Sequence, residues 1–291
     1  MTTGTLSSAA NRKTQWGIGL AIAAVVVVLN LPTPDALPAE GQRLAAIFLA
    51  AIILWATEAI PIAVTALLVI TLQPIFGVTD LHGAFASFVS PVFFFVLAMF
   101  CIAAAVTNAG VDRRFAFWLL GHAGADSRRV VIALMVGTAA TSAFISDVPA
   151  CAIFMSIGLG VLTRLNLEPG SSSLGKAIMM GIPIASLIGG VATPAGSSVN
   201  ILGIHLIEET VNVHVSFVEW MAIGIPMVLV LVPVACCAIL WSYPPEVETV
   251  GDVAELSRER LALGPITLAE KKTITLLGTM MVLWIAGSWI E

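Results

Sequence analysis

The chain has 291 residues, 58% of them hydrophobic and only 11% charged, with a mean hydropathy of +1.01 and a formal net charge of -5. Soluble domains carry about 25% charged residues, so this composition leaves too little polar surface to cover a soluble core, and the solvent that suits it is a bilayer. No basic tract points to nucleic acid, and in a membrane protein the placement of charge on the two sides matters more than its sum.

A hydrocarbon core takes roughly 20 helical residues to cross. Cutting the sequence where charges and turn residues cluster leaves eight apolar segments: 15–31, 44–60, 62–77, 89–110, 130–163, 176–207, 219–243 and 273–290. The first follows Arg12 and Lys13. It has the look of a secretory signal, but Ala36-Leu37-Pro38-Ala39 is a poor cleavage site, and we read the segment as a retained anchor. Pro61 divides the second and third segments so tightly that they form a hairpin with almost no loop. Glu58 lies at that turn, where capping, a salt bridge and a functional role all remain open. The cysteines, Cys101, Cys151, Cys236 and Cys237, all lie in apolar stretches and read as small packing residues.

With the N-terminus inside, twelve of the 13 basic residues can be cytoplasmic, and Arg43 alone falls outside. The condition is that 130–163 begins and ends on one side, because Arg128, Arg129 and Arg164 flank it. Its 34 residues are too few for two crossings plus a turn and too many for one, so a re-entrant hairpin is expected. The tip falls at residues 146–147, within Ser146-Asp147-Val148-Pro149.

Segment 176–207 is long for one crossing. Its middle, Gly189 to Asn200, holds three glycines, a proline and several hydroxyls, which cannot propagate an unbroken helix. Two half-helices joined by an unwound stretch near mid-depth are expected there. Freed backbone in lipid must be satisfied, and the usual solution is a polar cavity that binds ions and substrate. Small residues also permit close helix packing, which accounts well for Gly189 and Gly190. It accounts badly for Asp147, because an acid at membrane depth is costly. Between 243 and 272 lies the long polar stretch, read as a partly helical connector on the membrane surface. His82, His122, His205 and His214 lack metal-ligand spacing and are assigned to interfaces, while Trp16, Trp220, Trp241, Trp284 and Trp289 lie near span ends. No nucleophile-base constellation or phosphate loop marks an enzyme.

Several motifs in order now resemble one family. They are Thr57-Glu58-Ala59-Ile60-Pro61, the hairpin tip at Ser146, the Gly189-to-Asn200 loop, and Leu263-Gly264-Pro265 followed by Glu270-Lys271-Lys272. Together they resemble the divalent anion/sodium symporter family, from about residue 42 to the end. The resemblance implies an all-α membrane protein of about seven transmembrane helices plus one re-entrant hairpin, as one half of an inverted-repeat transporter. In that reading 1–43 is an anchor helix and external loop, and 44–243 is the first repeat. A cytoplasmic connector follows at 244–272, and 273–291 opens a truncated second repeat.

The family's hairpin signature is Ser-Asn-Thr with another serine four residues earlier. Here the matching positions are Ser142, Ser146, Asp147 and Val148, so an acid replaces the amide and a hydroxyl is lost. The broken helix keeps Gly196, the hydroxyl of Ser197 and Asn200 of Gly-Thr/Ser-Pro-Pro-Asn, while Ser198 and Val199 stand in place of both prolines. The resemblance implies Ser142, Ser146, Asp147 and Gly196 around sodium as the coupling ion, with no other cofactor. It implies Ser146, Asp147, Ser197, Ser198 and Asn200 near a small anionic substrate. Hydroxyls and carboxylates suit sodium, a hard cation. Asp147 would repel a dianion unless a cation or proton neutralised it, so dicarboxylate is the default substrate, with sulfate, a monoanion or proton coupling open. The resemblance also implies a multi-pass protein of the inner cell membrane that forms a homodimer. It needs the missing second repeat, or a partner subunit supplying it, to act. Two other readings stand beside it: a non-transporting remnant or subunit, and an arsenite or proton-antiporter relative.

Overall fold

The computed structural model describes residues 3–33, 37–86, 89–165, 167, 170–250 and 263–287. Those residues form helices α1 (Thr3–Asn30), α2 (Ala39–Thr57), α3 (Ile62–Ile75), α4 (Leu81–Ala86), α5 (Pro91–Ala109) and α6 (Val111–Ala123). They continue as α7 (Ser127–Ile145), α8 (Asp147–Arg164), α9 (Ser173–Gly190), α10 (Ser198–Val211), α11 (Phe217–Ser242) and α12 (Leu268–Gly287), with a 3-10 turn at Pro194–Gly196. Six of these helices are long and apolar enough to cross a membrane, and large apolar side chains such as Ile75, Ile223, Leu229 and Trp241 face outward. That outward apolar surface fits lipid rather than water, and the chain is an all-α integral membrane protein.

Every apolar segment read from the sequence is helical, and α4 and α6 are additions that the segment cuts passed over. The chain forms two compact units, Met1–Phe93 and Phe94–Glu291.

In the first unit α1 packs on α2, with Gly17 against Thr57 and Ala59, and Ala21, Ala50, Leu54 and Ala59 form a small core. Gln42 donates to the carbonyls of Val28 and Leu31 at 2.7 and 2.8 Å, closing the end of α1. Arg43 donates to the carbonyls of Phe76 and Gly77 at the end of α3. The α2–α3 turn closes on itself. Glu58 is left-handed (φ 50°), its N–H reaches the carbonyls of Leu54 and Trp55, and the Ala59 N–H bonds Leu54.

The second unit holds the main core, where Leu134, Met135, Phe154, Ile178 and Ile182 are fully buried. Helices α7 and α8 turn back on each other at Ser146: a Cβ on Gly137 would meet the Phe154 ring, and the two residues are nearly equidistant from the turn. Because α7 begins at Ser127 and a single residue makes the turn, the arms are 19 and 18 residues long. Each arm is therefore long enough for a crossing, and length does not separate a re-entrant hairpin from two spans.

The described part of the connector is not helical at 246–250 but an extended strap. Ser127 N–H donates to Glu248 O, and Val250 N–H donates to Ala125 O. Glu246 accepts from the Leu174 N–H and the Ser172 hydroxyl, so the strap ties the starts of α7 and α9. Residues 251–262 and Trp289 lie outside the described residues. At the far side of the connector Arg114 donates to the carbonyls of Leu263, Gly264 and Pro265 and pairs with Glu270 at 2.7 Å. The four cysteines are unbonded thiols, with Cys236 buried and Cys101 and Cys237 exposed.

Candidate functional site

Two helix breaks meet in the second unit. The first is Ser146, which ends α7 and opens α8 at φ 99° and ψ 148°, a region that non-glycine residues rarely occupy. The second runs from Val191 to Ser197, where α9 stops, the 3-10 turn intervenes and Ser197 is extended before α10. The sequence placed both breaks correctly, at 146–147 and within Gly189 to Asn200.

Glycine explains how the breaks come so close. A Cβ on Gly189 would lie 2.2 Å from the Ala139 carbonyl oxygen and 2.4 Å from its Cα, so α7 and α9 touch backbone to backbone. A Cβ on Gly196 would lie 2.4 Å from the Gly190 oxygen, so the unwound stretch is folded against the end of α9.

Hydroxyls then stitch the breaks together. Ser142 Oγ donates to Ser186 O at 2.7 Å, and Ser186 Oγ donates to Asp147 O at 2.5 Å. Thr193 Oγ1 donates to Ala143 O at 2.6 Å and accepts from Gly196 N at 3.1 Å. The Asn200 amide donates to the carbonyls of Gly190 and Thr193 at 2.7 and 2.9 Å, and Trp220 Nε1 donates to Val191 O at 2.9 Å. Carbonyls released from helical bonding thus find partners inside the protein, as membrane depth requires.

Asp147 occupies the first turn of α8, where the positive end of the helix dipole favours a carboxylate. Its Oδ1 accepts from Ser146 Oγ at 3.2 Å and from Val148 N at 2.9 Å, and its Oδ2 accepts from Ser197 Oγ at 3.2 Å. One carboxylate therefore bridges both breaks.

Of the residues named from the sequence, Ser142, Ser146, Asp147, Gly196 and Ser197 come together here. Ser198 is exposed at the start of α10, beside Ser146 in a small cleft with Met99 and Ala195. Asn200 is buried and turns its amide nitrogen to the unwound backbone. Ser186 and Thr193 were not singled out in the sequence, although each links a break to the opposite helix. The side-chain oxygens suit a hard monovalent cation: the hydroxyls of Ser142 and Ser146 and the carboxylate that Ser146 and Ser197 approach. The N-termini of α8 and α10 lie beside the same carboxylate, and helix N-termini suit anions. Elsewhere His205 approaches Glu209 at 3.4 Å and His214 approaches Glu208 at 3.1 Å, both on or just after α10.

The family described as the sodium:sulfate symporter transmembrane region matches residues 12–291. A protein named only as a membrane protein, from Cupriavidus necator, is 27% identical over 286 residues, covering 92% of this chain and 56% of that protein. The sodium-dependent dicarboxylate transporter SdcS of Staphylococcus saprophyticus is 28% identical over 284 residues, covering 94% of this chain and 55% of the transporter. Its namesake from Staphylococcus aureus is 28% identical over 289 residues, with the same coverage. The chain belongs to the sodium:sulfate symporter family and spans about half the length of the curated relatives it matches.

Proposed function

We propose that this chain is the first repeat of a sodium-coupled anion symporter whose substrates are dicarboxylates or similar anions. The observation that carries the reading is the Asp147 carboxylate, which accepts from Ser146 of the hairpin and Ser197 of the broken helix at once. In this reading Ser142, Ser146, Asp147 and the backbone at Gly196 hold sodium. The anion lies against the bound cation, the N-terminus of α10, Ser197 and Ser198, with Asn200 fixing the backbone behind them. Asp147 carries the charge that sodium cancels, and a dianion approaches only after that cancellation. The family name and the printed name of the dicarboxylate transporter SdcS support both the ion and the substrate class.

Alternating access requires a second repeat, and the chain matches little more than half of its relatives' length. The chain alone therefore does not transport. Reconstituted in proteoliposomes, it should show no succinate uptake under an inward sodium gradient, while co-expression with a matching second repeat should give uptake. In the assembled transporter Asp147→Asn should raise the sodium concentration for half-maximal uptake about tenfold, a loss of about 1.4 kcal/mol. Uptake by the isolated chain would sink the half-transporter reading, and an unchanged sodium response would remove Asp147 from the site.

The hairpin enters and leaves from the cytoplasmic face, where Arg128, Arg129 and Arg164 cluster. Cysteines placed at the exposed positions Arg128 and Thr163, in a chain lacking its own cysteines, should both react with an impermeant maleimide from that side only. Labelling of the two from opposite sides would replace the re-entrant hairpin with something else.

A further inference from the structure

A second cavity of the Phe94–Glu291 unit lies between the N-terminal part of α6 and the C-terminal half of α8, away from the helix breaks. Its volume is about 410 Å³. Two guanidinium groups border it, Arg113 from α6 and Arg164 from the last turn of α8. Along α8, beside Ser156, the apolar residues Ile153, Ile157 and Val161 recur at one-turn intervals and form a strip leading away from Arg164.

The charges define what fits. Arg113 is exposed and held over the Phe117 ring, 6.0 Å from its centre, so its position is set by an aromatic face. The one acid in the lining is Asp112. It is 2% exposed, and its Oδ1 accepts from the Arg113 N–H at 2.6 Å. Burial raises its pKa. The lining thus sets two guanidinium groups against one buried acid.

The apolar strip argues against a freely soluble anion. α8 is long and apolar enough to span a membrane, and Arg164 is its last residue. An arginine at a span end lies at headgroup level, with apolar residues one to three turns deeper, at the level of acyl chains. We propose that this groove binds one anionic phospholipid, its phosphate between Arg113 and Arg164 and an acyl chain along Ile153, Ile157 and Val161. Bound there, the lipid ties α6 to the base of the α8 arm whose tip carries Asp147. The inference stands on the chain being a membrane protein and is independent of what it transports.

Gly160 supplies the sharpest test. It lines the groove, and a Cβ built on it meets nothing within 4 Å, so a larger side chain there starts in open space at the groove. Native mass spectrometry of the purified full chain, titrated with palmitoyl-oleoyl phosphatidylglycerol or phosphatidylcholine, compares two lipids that differ only in headgroup. One phosphatidylglycerol should bind at about tenfold lower concentration than phosphatidylcholine, since each interfacial arginine favours an anionic lipid. Arg113→Gln with Arg164→Gln should erase that preference, and Gly160→Phe should erase it while both arginines remain. Three results would overturn the proposal: equal binding of the two lipids, a preference that survives Gly160→Phe in folded protein, or full displacement by millimolar inorganic phosphate, which would assign the site to a free anion.

Discussion

The α2–α3 turn and the α7–α8 turn meet the same local problem with different amounts of support from other elements. Each reverses a helix within a few residues, and each places a non-glycine residue at positive φ, Glu58 at 50° and Ser146 at 99°. At Glu58 the loose N–H groups find the carbonyls of the helix that has just ended, Leu54 and Trp55. At Ser146 the N–H likewise bonds the Ser142 carbonyl one turn back, but further bonds come from other elements. Ser186, Thr193 and Ser197 reach across from α9 and the unwound stretch to the Asp147 and Ala143 carbonyls and to the Asp147 carboxylate. A turn whose backbone closes one turn back mainly connects two helices, whereas one whose carbonyls and carboxylate are held by other elements moves when they move.

The comparison breaks most visibly at glycine. Gly189→Ala would press a methyl into the Ala139 backbone, which cannot give way without separating α7 from α9, and should cost about 3 kcal/mol or more. Gly17→Ala in α1 meets the Thr57 hydroxyl, which can rotate away, and the Ala59 Cβ, which yields only by a small shift of the helices, and should cost about 1 to 2 kcal/mol. Thermal unfolding in detergent would rank the two. Equal losses would mean that the second unit's backbone contact is no more demanding than the first unit's side-chain packing.

A smaller effect separates the two kinds of hydroxyl. Thr193→Val removes a donor to Ala143 and an acceptor for Gly196 in a fully buried place, and should cost about 2 kcal/mol. Thr57→Val removes only bonds to Ile53 and Leu54 one turn back in its own helix, and should stay within about 0.5 kcal/mol. Chemical denaturation of both variants measures the gap, and a reversed order would undo the contrast between braced and self-closing turns.

The smallest effect lies at neither turn and sharpens the comparison by its pH dependence. The Arg114 guanidinium, followed by the Thr267 amide, holds the Glu270 carboxyl down to about 2 from an ordinary 4.5. A carboxyl lowered in the folded state stabilises that state fully above about 4.5, and the contribution is lost as pH falls through about 2. The difference in unfolding temperature between the parent chain and Glu270→Gln should be level from neutral pH to about 4.5 and close toward about 2. A difference that vanished by about 4.5 would show that the Arg114 bond does not form.

Much of this was legible in the sequence because bilayers punish exposed backbone. The breaks at Ser146 and at Gly189 to Asn200 were visible as polar and glycine-rich interruptions of long apolar segments, although the arms on either side of Ser146 prove each long enough for a crossing. Helices α4 and α6 were passed over because one has six residues and the other carries Asp112, Arg113 and Arg114 in its first turns, so neither reads as an apolar span. The roles of Ser186 and Thr193 were hidden for a different reason. A hydroxyl in an apolar helix usually bonds the carbonyl one turn back, as Thr138, Ser156 and Thr163 do here. Nothing in the sequence marks which hydroxyls reach across instead. Trp220 was similarly read as an interfacial residue, while its indole N–H is committed to the Val191 carbonyl.

Ser146 carries one more consequence. Its backbone lies where glycine is at ease and serine is strained by about 1 to 3 kcal/mol. Ser146→Gly would relieve that strain while deleting the hydroxyl that faces Asp147. Laboratory evolution of this chain for heat resistance alone would drift toward glycine at this position, and under the proposed role in holding sodium a selection for uptake by the assembled transporter would pull back toward serine. Running the two selections side by side would turn residue 146 into a gauge of that proposal.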